Sequence, residues 1–193
     1  MMTPVAAPSP SLTIWTVGHS TLEIDELFAV LDAQRIEAVA DVRRYPGSRR
    51  LPQFQQDALS TALQGHGIAY WWIPALGGRR RVEPDSPNTG WRHPAFRGYA
   101  DHLATQEFAD GLFELLMLAL GLRTAIMCAE VLWWRCHRRL ISDVLTMLGV
   151  QVLHIRGLGT PEMHEIKSPA LVVDGQLTYP GDDQLLADDH HGD

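Results

Sequence analysis

Both cysteines of the chain lie close together, in a segment that also holds an acid, a histidine and several arginines. The apolar run at 124–129 predicts a β-strand, and the two-residue alternation of side chains in strands places Glu130 on the same side as Cys128. Cys136 and His137 come just before a stretch of helical periodicity. They are therefore expected at a helix N-terminus, where unpaired N–H groups and the helix dipole favour a thiolate or a bound anion. These residue types and positions predict a catalytic or anion-binding site.

Apolar runs that alternate with segments of helical periodicity predict the fold that positions these residues. The predicted strands cover 12–18, 36–42, 67–73, 124–129 and 149–155. The predicted helices cover about 24–31, 55–64, 96–120 and 140–148, the third divided near Thr105. Strands that alternate with helices indicate an α/β protein, a single domain with a mostly parallel sheet flanked by helices. Ser20 and Glu23 form a capping-box pattern before the first helix, and a turn at Asp174-Gly175 predicts a small C-terminal β-hairpin.

Polar residues follow the ends of four predicted strands. In open parallel sheets, ligands bind beyond the carboxyl ends of the strands, so these residues are expected to meet in one site. The catalytic candidates are His19, Asp41, Glu130, Cys128, Cys136 and His137. The substrate-binding candidates are Ser20, Arg43, Arg79 and Arg138. The predicted site is thus assembled from segments that are remote in sequence.

Charge is distributed unevenly along the chain. The formal net charge is −7, but five aspartates and no Lys or Arg fall within 180–193, which leaves about −2 for the rest. Of the 16 basic residues, 15 are arginine, and 12 of these lie within 43–50, 79–97 and 135–139. Guanidinium groups make bidentate contacts with phosphates and carboxylates, so the clusters predict an anionic ligand.

Length and composition bound the class of protein. A chain of 193 residues, 46% of them hydrophobic, can bury one sizeable core, so a single domain is expected at 12–179. We expect a flexible leader at 1–11 and an acidic disordered tail at 180–193. No run approaches the roughly 18 apolar residues of a membrane span, and no signal peptide is evident. Two cysteines without an export signal favour a reduced, cytoplasmic protein.

Five short motifs occur along the chain in an order that is typical of one known family. They are TVGHS at 16–20, ADVRRYPGS at 40–48, the Leu76-Gly77-Gly78 turn, CAE at 128–130 and CHR at 136–138. With these motifs the chain resembles the domain of unknown function 488 family of uncharacterised bacterial and archaeal proteins, over residues 13–155. The resemblance implies a compact α/β domain with Cys, His, Arg and acidic residues in its signature. It implies no particular reaction.

Several candidate residues also have a purely structural interpretation. A cysteine in an apolar strand, such as Cys128, is often a small core residue. Asp41 and Glu130 would then neutralise Arg43 and Arg138 in a buried ion network. The two histidines have similar alternatives. His19 suits a general base, a metal ligand or a hydrogen-bonding turn residue equally well, and His137 suits a core position or a helix cap.

Our first functional hypothesis is an enzyme with a phosphate- or nucleotide-like substrate. In it, Arg43, Arg138 and the helix N-terminus bind the anion. The groups that transfer protons are drawn from His19, Asp41, Glu130 and His137. Cys136 or Cys128 is the candidate nucleophile.

Two other hypotheses compete with this enzyme. One is a non-catalytic nucleic-acid-binding module that uses loops rich in Arg and Trp, although the aromatic residues of GIAYWWI at 67–73 are mostly core candidates. The other is a metal site made by Cys128, Cys136 and His137, with His19 as a candidate further ligand. The cysteine spacing is not that of a zinc finger, and adjacent Cys136 and His137 in a regular helix rarely bind one ion, so no metal is predicted. The sequence assigns neither a cofactor nor an oligomeric state.

Overall fold

Six strands form one sheet, and five α-helices connect them in a computed structural model that describes residues 12–173 and 175–181. The strands of the sheet are β1 Thr13–Gly18, β2 Ala38–Asp41, β3 Ala69–Trp72, β4 Thr124–Cys128, β5 Gln151–His154 and β6 Glu162–Met163. The helices are α1 Ile24–Ala33, α2 Gln56–Gly65, α3 Pro94–His102, α4 Gln106–Gly121 and α5 Arg138–Met147. Two further strands, β7 Leu171–Val173 and β8 Gln176–Thr178, form a separate antiparallel hairpin. The leader predicted at 1–11, residues 182–193 of the tail predicted at 180–193, and Asp174 of the predicted hairpin turn lie outside the described residues.

The sheet is parallel except at one edge. The strand order is β3-β2-β4-β1-β5-β6, and only β6 runs antiparallel to its neighbour. This arrangement confirms the predicted α/β fold with a mostly parallel sheet, and the C-terminal hairpin is confirmed as well. The longest helix, α4, has 16 residues, and among the described residues no helix combines the length and apolar character needed to cross a bilayer.

Helices cover both faces of the sheet, which explains why its central strands are apolar on both sides. On one face, α1 and α2 pack with side chains such as Leu27 and Leu63 against Met127 of β4. On the other face, α3, α4 and α5 enclose Ile126, the neighbouring residue of the same strand. Because side chains alternate along β4, its residues contribute to two separate cores, one on each face of the sheet. Polar residues are found at the ends of the strands.

Two local predictions were wrong. The capping box lies one turn later than expected, because Glu23 is the N-cap of α1 and its backbone N–H donates to the Glu26 carboxylate at 2.7 Å. Ser20 instead occupies a tight turn with a φ of +44°. The aromatic residues of the third strand are not mostly core residues either. Because β3 is an edge strand, Trp71 and Trp72 remain 44% and 38% exposed.

A chain of buried polar side chains links the sheet to α5 and the hairpin. The Thr16 hydroxyl lies 2.8 Å from His154 Nδ1, His154 Nε2 lies 3.0 Å from His164 Nδ1, and His164 Nε2 lies 2.8 Å from an Asp143 oxygen. The Tyr179 hydroxyl donates to the other Asp143 oxygen at 3.0 Å. Since a carboxylate only accepts, the His164 ring donates to Asp143 from Nε2. All five side chains are buried, so an added proton would have no solvent to stabilise it.

We predict that this chain makes stability sensitive to acid. Burial, His164 and Arg138 lower the pKa of His154 to about 3, whereas an unfolded histidine titrates near 6.5. The unfolded state therefore takes up a proton that the folded state rejects, and stability is lost as pH falls from about 6.5 toward 3. His154 alone should contribute a loss of about 2 kcal/mol between pH 7.5 and 5 in urea unfolding experiments.

The variant His154→Gln should show a smaller loss of stability over the same pH interval. The matched control is His66→Gln, which removes a histidine whose ring is 34% exposed beside Asp32. An unchanged pH dependence in His154→Gln would contradict the prediction.

Candidate functional site

A cavity of about 320 Å³ opens at the edge of the sheet where β1, β2 and β4 end. The residues that line it come from four segments, which follow β1, β2, β3 and β4. They are His19, Ser20, Arg43, Arg44, Tyr45, Gly47, Ser48, Leu51, Gly78, Arg79, Cys128, Ala129 and His137. The structure therefore brings six of the ten predicted site residues to the wall of one pocket.

The register of the central strands sets the position of the first segment. Gly18 pairs with Cys128, so β1 and β4 end level with each other. The next two backbone N–H groups continue the ladder, from His19 to the Cys128 carbonyl at 3.0 Å and from Ser20 to the Ala129 carbonyl at 2.9 Å. A Cβ atom at Gly18 would lie 2.0 Å from the Glu130 carbonyl oxygen, so this close approach requires glycine.

A buried ion pair holds the second segment. Asp41 is fully buried and Arg43 is 7% exposed, and their closest contact is 2.6 Å between Nη2 and Oδ2. The carboxylate also accepts from Arg43 Nε at 2.9 Å, from the Arg43 backbone N–H at 3.0 Å and from the Tyr70 hydroxyl at 2.8 Å. Burial, together with the charge of Asp41, raises the pKa of Tyr70, so that hydroxyl stays a donor. Asp41 is thus fully engaged in holding Arg43.

Arg43 uses most of its donors on the protein. Its Nη1 group donates to the Phe54 carbonyl at 2.8 Å and to His19 Nε2 at 3.2 Å. A guanidinium has five N–H donors, and the bonds to Asp41 occupy Nε and one Nη2 hydrogen. Among the described residues, the second Nη2 hydrogen has no partner, and Arg43 lines the pocket. One charged donor is therefore left for a ligand.

His19 is held as a neutral ring by its neighbours. Its Nδ1 lies 3.0 Å from the Ser20 carbonyl, which can only accept, and its Nε2 faces Arg43, which can only donate. These partners fix the Nδ1–H tautomer. Burial, followed by the charge of Arg43, lowers the pKa of His19 to about 4. The ring also stacks on Phe54 with centroids 4.0 Å apart, so both its nitrogens and its face are occupied.

Cys128, Cys136 and His137 form a compact cluster between the end of β4 and the start of α5. Their three donor atoms all lie within 4.8 Å of one another, and Cys136 Sγ is 3.6 Å from His137 Nδ1. His137 Nε2 donates to the Val42 carbonyl at 3.0 Å, so Nδ1 is the ring nitrogen that faces the cysteines. Cys128 is half-buried and lines the pocket, whereas Cys136 is 5% exposed and lies behind it.

The pKa values of the two thiols are shifted in opposite directions. The Cys128 thiol, His137 and Arg138 together hold the pKa of Cys136 well below its usual range. The neighbouring Cys136 and burial raise the pKa of Cys128. The pair therefore carries its first negative charge on the buried sulfur.

Arg138 supports the cluster from behind. It is 1% exposed, its Nη1 donates to Thr16 Oγ1 at 3.2 Å, and its Nη2 donates to the backbone carbonyls of Glu130 and Val131. Through Thr16 it joins the buried chain that ends at Asp143. The expected ion pair between Arg138 and the Glu130 carboxylate is not formed.

Glu130 lies outside the cavity lining. Strand β4 ends at Cys128, so the side-chain alternation that should place Glu130 beside Cys128 does not extend that far. The Glu130 side chain is exposed, and its carboxylate accepts from the Leu132 backbone N–H at 3.0 Å. Asp41, Cys136 and Arg138 also lie outside the lining. Asp41 contacts Arg43 and Cys136 contacts His137, both of which line the cavity, whereas the hydrogen bonds of Arg138 go to residues outside it.

The arginines after β3 separate into two groups. Arg79 is exposed, lines the cavity and has a φ of +60°. Arg80 instead pairs with Glu107 at 2.6 Å and donates to the carbonyls of Gly77, Pro74 and Ala75, which makes it a structural residue.

Sequence reasoning missed seven lining residues, which are Arg44, Tyr45, Gly47, Ser48, Leu51, Gly78 and Ala129. All except Leu51 lie within the motifs that carry the family resemblance, ADVRRYPGS, the Leu76-Gly77-Gly78 turn and CAE. Steric limits explain the two glycines of the Leu76-Gly77-Gly78 turn. A Cβ at Gly77 would lie 2.7 Å from Arg44 Cα, and a Cβ at Gly78 would lie 2.9 Å from His137 Nδ1.

A comparison with family models identifies the family. The model described as "Domain of unknown function DUF488" matches residues 23–145, which is more than half of the chain. The chain belongs to this family. The matched DUF488 region contains the loop after β2, the end of β4 and most of α5, while β1 with His19 and Ser20 precedes it. Searches of curated proteins and of solved structures gave no match.

We predict that the buried pair in this DUF488 protein is strongly coupled. Arg43→Ala should lower the free energy of unfolding by about 3–5 kcal/mol, because it leaves the Asp41 carboxylate buried without its charge partner. The double variant Asp41→Ala/Arg43→Ala should lose less than the sum of the two single variants in urea unfolding.

An exposed ion pair provides the control. Lys167→Ala removes a partner of Glu165, and both of these side chains are more than 60% exposed, so it should change stability by less than about 1 kcal/mol. Additive effects at Asp41 and Arg43 would show that the pair does not act as a unit.

Proposed function

We propose that the protein is an enzyme that acts on an anionic, phosphate- or nucleotide-like substrate in the strand-end cavity. The observation that carries the proposal is the charge of the lining: three arginines, Arg43, Arg44 and Arg79, contribute to it, and no carboxylate of the described residues does. The formal net charge of the chain is −7, so this local excess of positive charge is opposite to that of the molecule. A volume of about 320 Å³ suits a small ligand.

Neutral donors complement the arginines. The hydroxyls of Ser20 and Ser48 lie in the lining, and Ser48 Oγ accepts from the Leu51 backbone N–H at 3.0 Å, so its own hydrogen is available to a ligand. Helix α5 begins directly after His137, and its N-terminal end adds a partial positive charge at the same wall. These groups have the chemistry that binds phosphate oxygens.

The reacting groups are assigned to the wall formed by Cys128, Cys136 and His137. His137 is the imidazole of the lining whose Nδ1 faces the two sulfur atoms, while its Nε2 donates to the Val42 carbonyl. His19 and Asp41 are assigned as positioning residues, because their polar atoms are committed to Arg43. Glu130 is exposed and bound to its own loop, so it receives no role in the reaction.

An aromatic side chain at the cavity favours nucleotides among anionic substrates. Tyr45 belongs to the lining and is 65% exposed, and the Arg44 guanidinium lies 5.9 Å from its ring centroid. An exposed ring beside a phosphate-binding arginine can stack on a base while the arginine binds the phosphate.

We predict that phosphate compounds stabilise the folded protein and that Arg79 contributes to their binding. A nucleoside monophosphate, pyrophosphate and inorganic phosphate should each be titrated in thermal-shift and calorimetric experiments. Arg79→Ala should weaken the affinity for the best of them by about tenfold or more, because it removes a charge-assisted hydrogen bond.

Arg81→Ala is the matched control, since Arg81 is exposed two residues away and does not belong to the lining. If none of the three compounds stabilises the wild type, or if both variants weaken binding equally, the proposed anion site is wrong.

A nucleic-acid-binding module is the second candidate, and the loop after β2 favours it. Arg49 and Arg50 are exposed in the same loop as Tyr45, a combination that suits single-stranded nucleic acid. Two tryptophans of the loops rich in Arg and Trp have partners within the protein instead: Trp133 stacks on His154 at 4.0 Å, and Arg139 lies over the Trp91 ring at 4.7 Å.

Fluorescence anisotropy with single-stranded oligonucleotides separates the two functions. If the protein is a nucleic-acid-binding module, its affinity for the oligonucleotide falls steeply with salt concentration. Tyr45→Ala then weakens this affinity, whereas Trp134→Ala, at an exposed ring outside the lining, leaves it unchanged. Binding of mononucleotides without binding of oligonucleotides favours the enzyme.

A further inference from the structure

We propose that Cys128, Cys136 and His137 bind a zinc ion whose fourth coordination position opens into the anion pocket. The chemistry of the three groups is that of a known ligand set, two thiolates and one imidazole, in which the remaining position is taken by water or substrate. The metal site stands on these three residues alone. The role of the ion toward an anionic substrate rests on the proposed function.

The distances between the donor atoms fit one ion. Zinc binds sulfur at about 2.3 Å and nitrogen at about 2.0–2.1 Å, so tetrahedral angles place S and N about 3.6 Å apart and two S atoms about 3.8 Å apart. Cys136 Sγ and His137 Nδ1 are 3.6 Å apart, and no two of the three donor atoms are separated by more than 4.8 Å. Binding would require a contraction of about 1 Å at most.

The backbone removes the objection that neighbouring residues of a helix rarely bind one ion. Cys136 is not helical: it has φ of −127° and ψ of 151°, and it follows a 3₁₀ turn at Trp133–Arg135. His137 is the N-cap of α5. The extended residue followed by the cap lets both side chains converge, and Cys128 reaches the same point from the end of β4.

The surroundings of the cluster resemble those of metal ligands in general. Metal-binding histidines usually donate their second ring N–H to a carboxylate or a backbone carbonyl, which fixes the free nitrogen toward the ion. His137 does this through Nε2 and the Val42 carbonyl, 3.0 Å apart. Arg138, which is 1% exposed and has no carboxylate partner among the described residues, is placed to compensate thiolate charge.

The position of the ion would give it a chemical role. Cys128 and His137 belong to the cavity lining, so an ion between them has one side toward the ligand. A zinc ion with an open position polarises a phosphoryl oxygen or lowers the pKa of a bound water to about 7. Thiolates and imidazole together favour zinc over magnesium, manganese and calcium, which prefer oxygen ligands.

The test is the zinc content and zinc affinity of the full-length chain, expressed without a tag. His190→Gln and His191→Gln are introduced in every sample, because these adjacent histidines could bind zinc on their own. We expect about one zinc per chain after dialysis, and cobalt(II) substitution should give the sulfur-to-metal charge-transfer bands and intense d–d bands of a tetrahedral thiolate site.

Variants identify the ligands. Cys128→Ser, Cys136→Ser and His137→Gln should each lower the zinc affinity more than the roughly 10–100-fold that loss of an outer partner costs, with folding checked by circular dichroism. His93→Gln, at an exposed histidine, should leave the affinity unchanged. Ligand loss that leaves the affinity unchanged, zinc at background in the wild type, or a Cys128–Cys136 disulfide in freshly purified protein would each overturn the proposal.

The result is separable from the proposed function. Arg79→Ala should bind zinc like the wild type, since Arg79 is not one of the three ligands. Phosphate binding without zinc would refute the metal site alone, and zinc without phosphate binding would refute the anion site alone.

Discussion

The buried ion pair between Asp41 and Arg43 is the constraint on which the pocket depends. A charged pair in the interior is tolerated only when its remaining hydrogen-bonding groups are satisfied, and here Tyr70, Phe54 and His19 satisfy them. The pair thereby holds the loop after β2 and, through Arg43, contacts His19. Under the proposed function, stability and ligand binding would be coupled at this point, because Arg43 lines the cavity and is also part of the buried core.

The parallel sheet explains how such distant segments meet. Gly18 and Cys128 are direct partners in the ladder, so the chains leaving β1 and β4 emerge side by side. The bare backbone of Gly18 allows the Glu130 carbonyl to approach. Helix α5 begins at the same edge of the sheet, where its N-cap His137 contacts the Val42 carbonyl. Positive groups therefore face the opening, while the buried acids, Asp41 and Asp143, stand behind them.

Local sequence patterns predicted the positions of the helices and strands well, but they predicted the contacts between side chains less well. Alternating apolar runs gave the sheet, and Thr105 was identified as the break between α3 and α4, where it is the N-cap. Strand order is not encoded in periodicity, so the edge position of β3 was missed. The burial of Arg138 was missed for the same reason. The sequence indicates a guanidinium that is available to a ligand, whereas the packing of the helix encloses it. Glu130 was misplaced because β4 ends two residues earlier.

The most direct test of the account is a crystal structure of the protein grown with tungstate, an oxyanion of phosphate-like shape whose anomalous scattering locates it without ambiguity. The account predicts one strong anomalous peak in the cavity, within hydrogen-bonding distance of Arg43 and of Arg44 or Arg79. Tungstate bound only at other arginines, with the cavity filled by solvent, would contradict it.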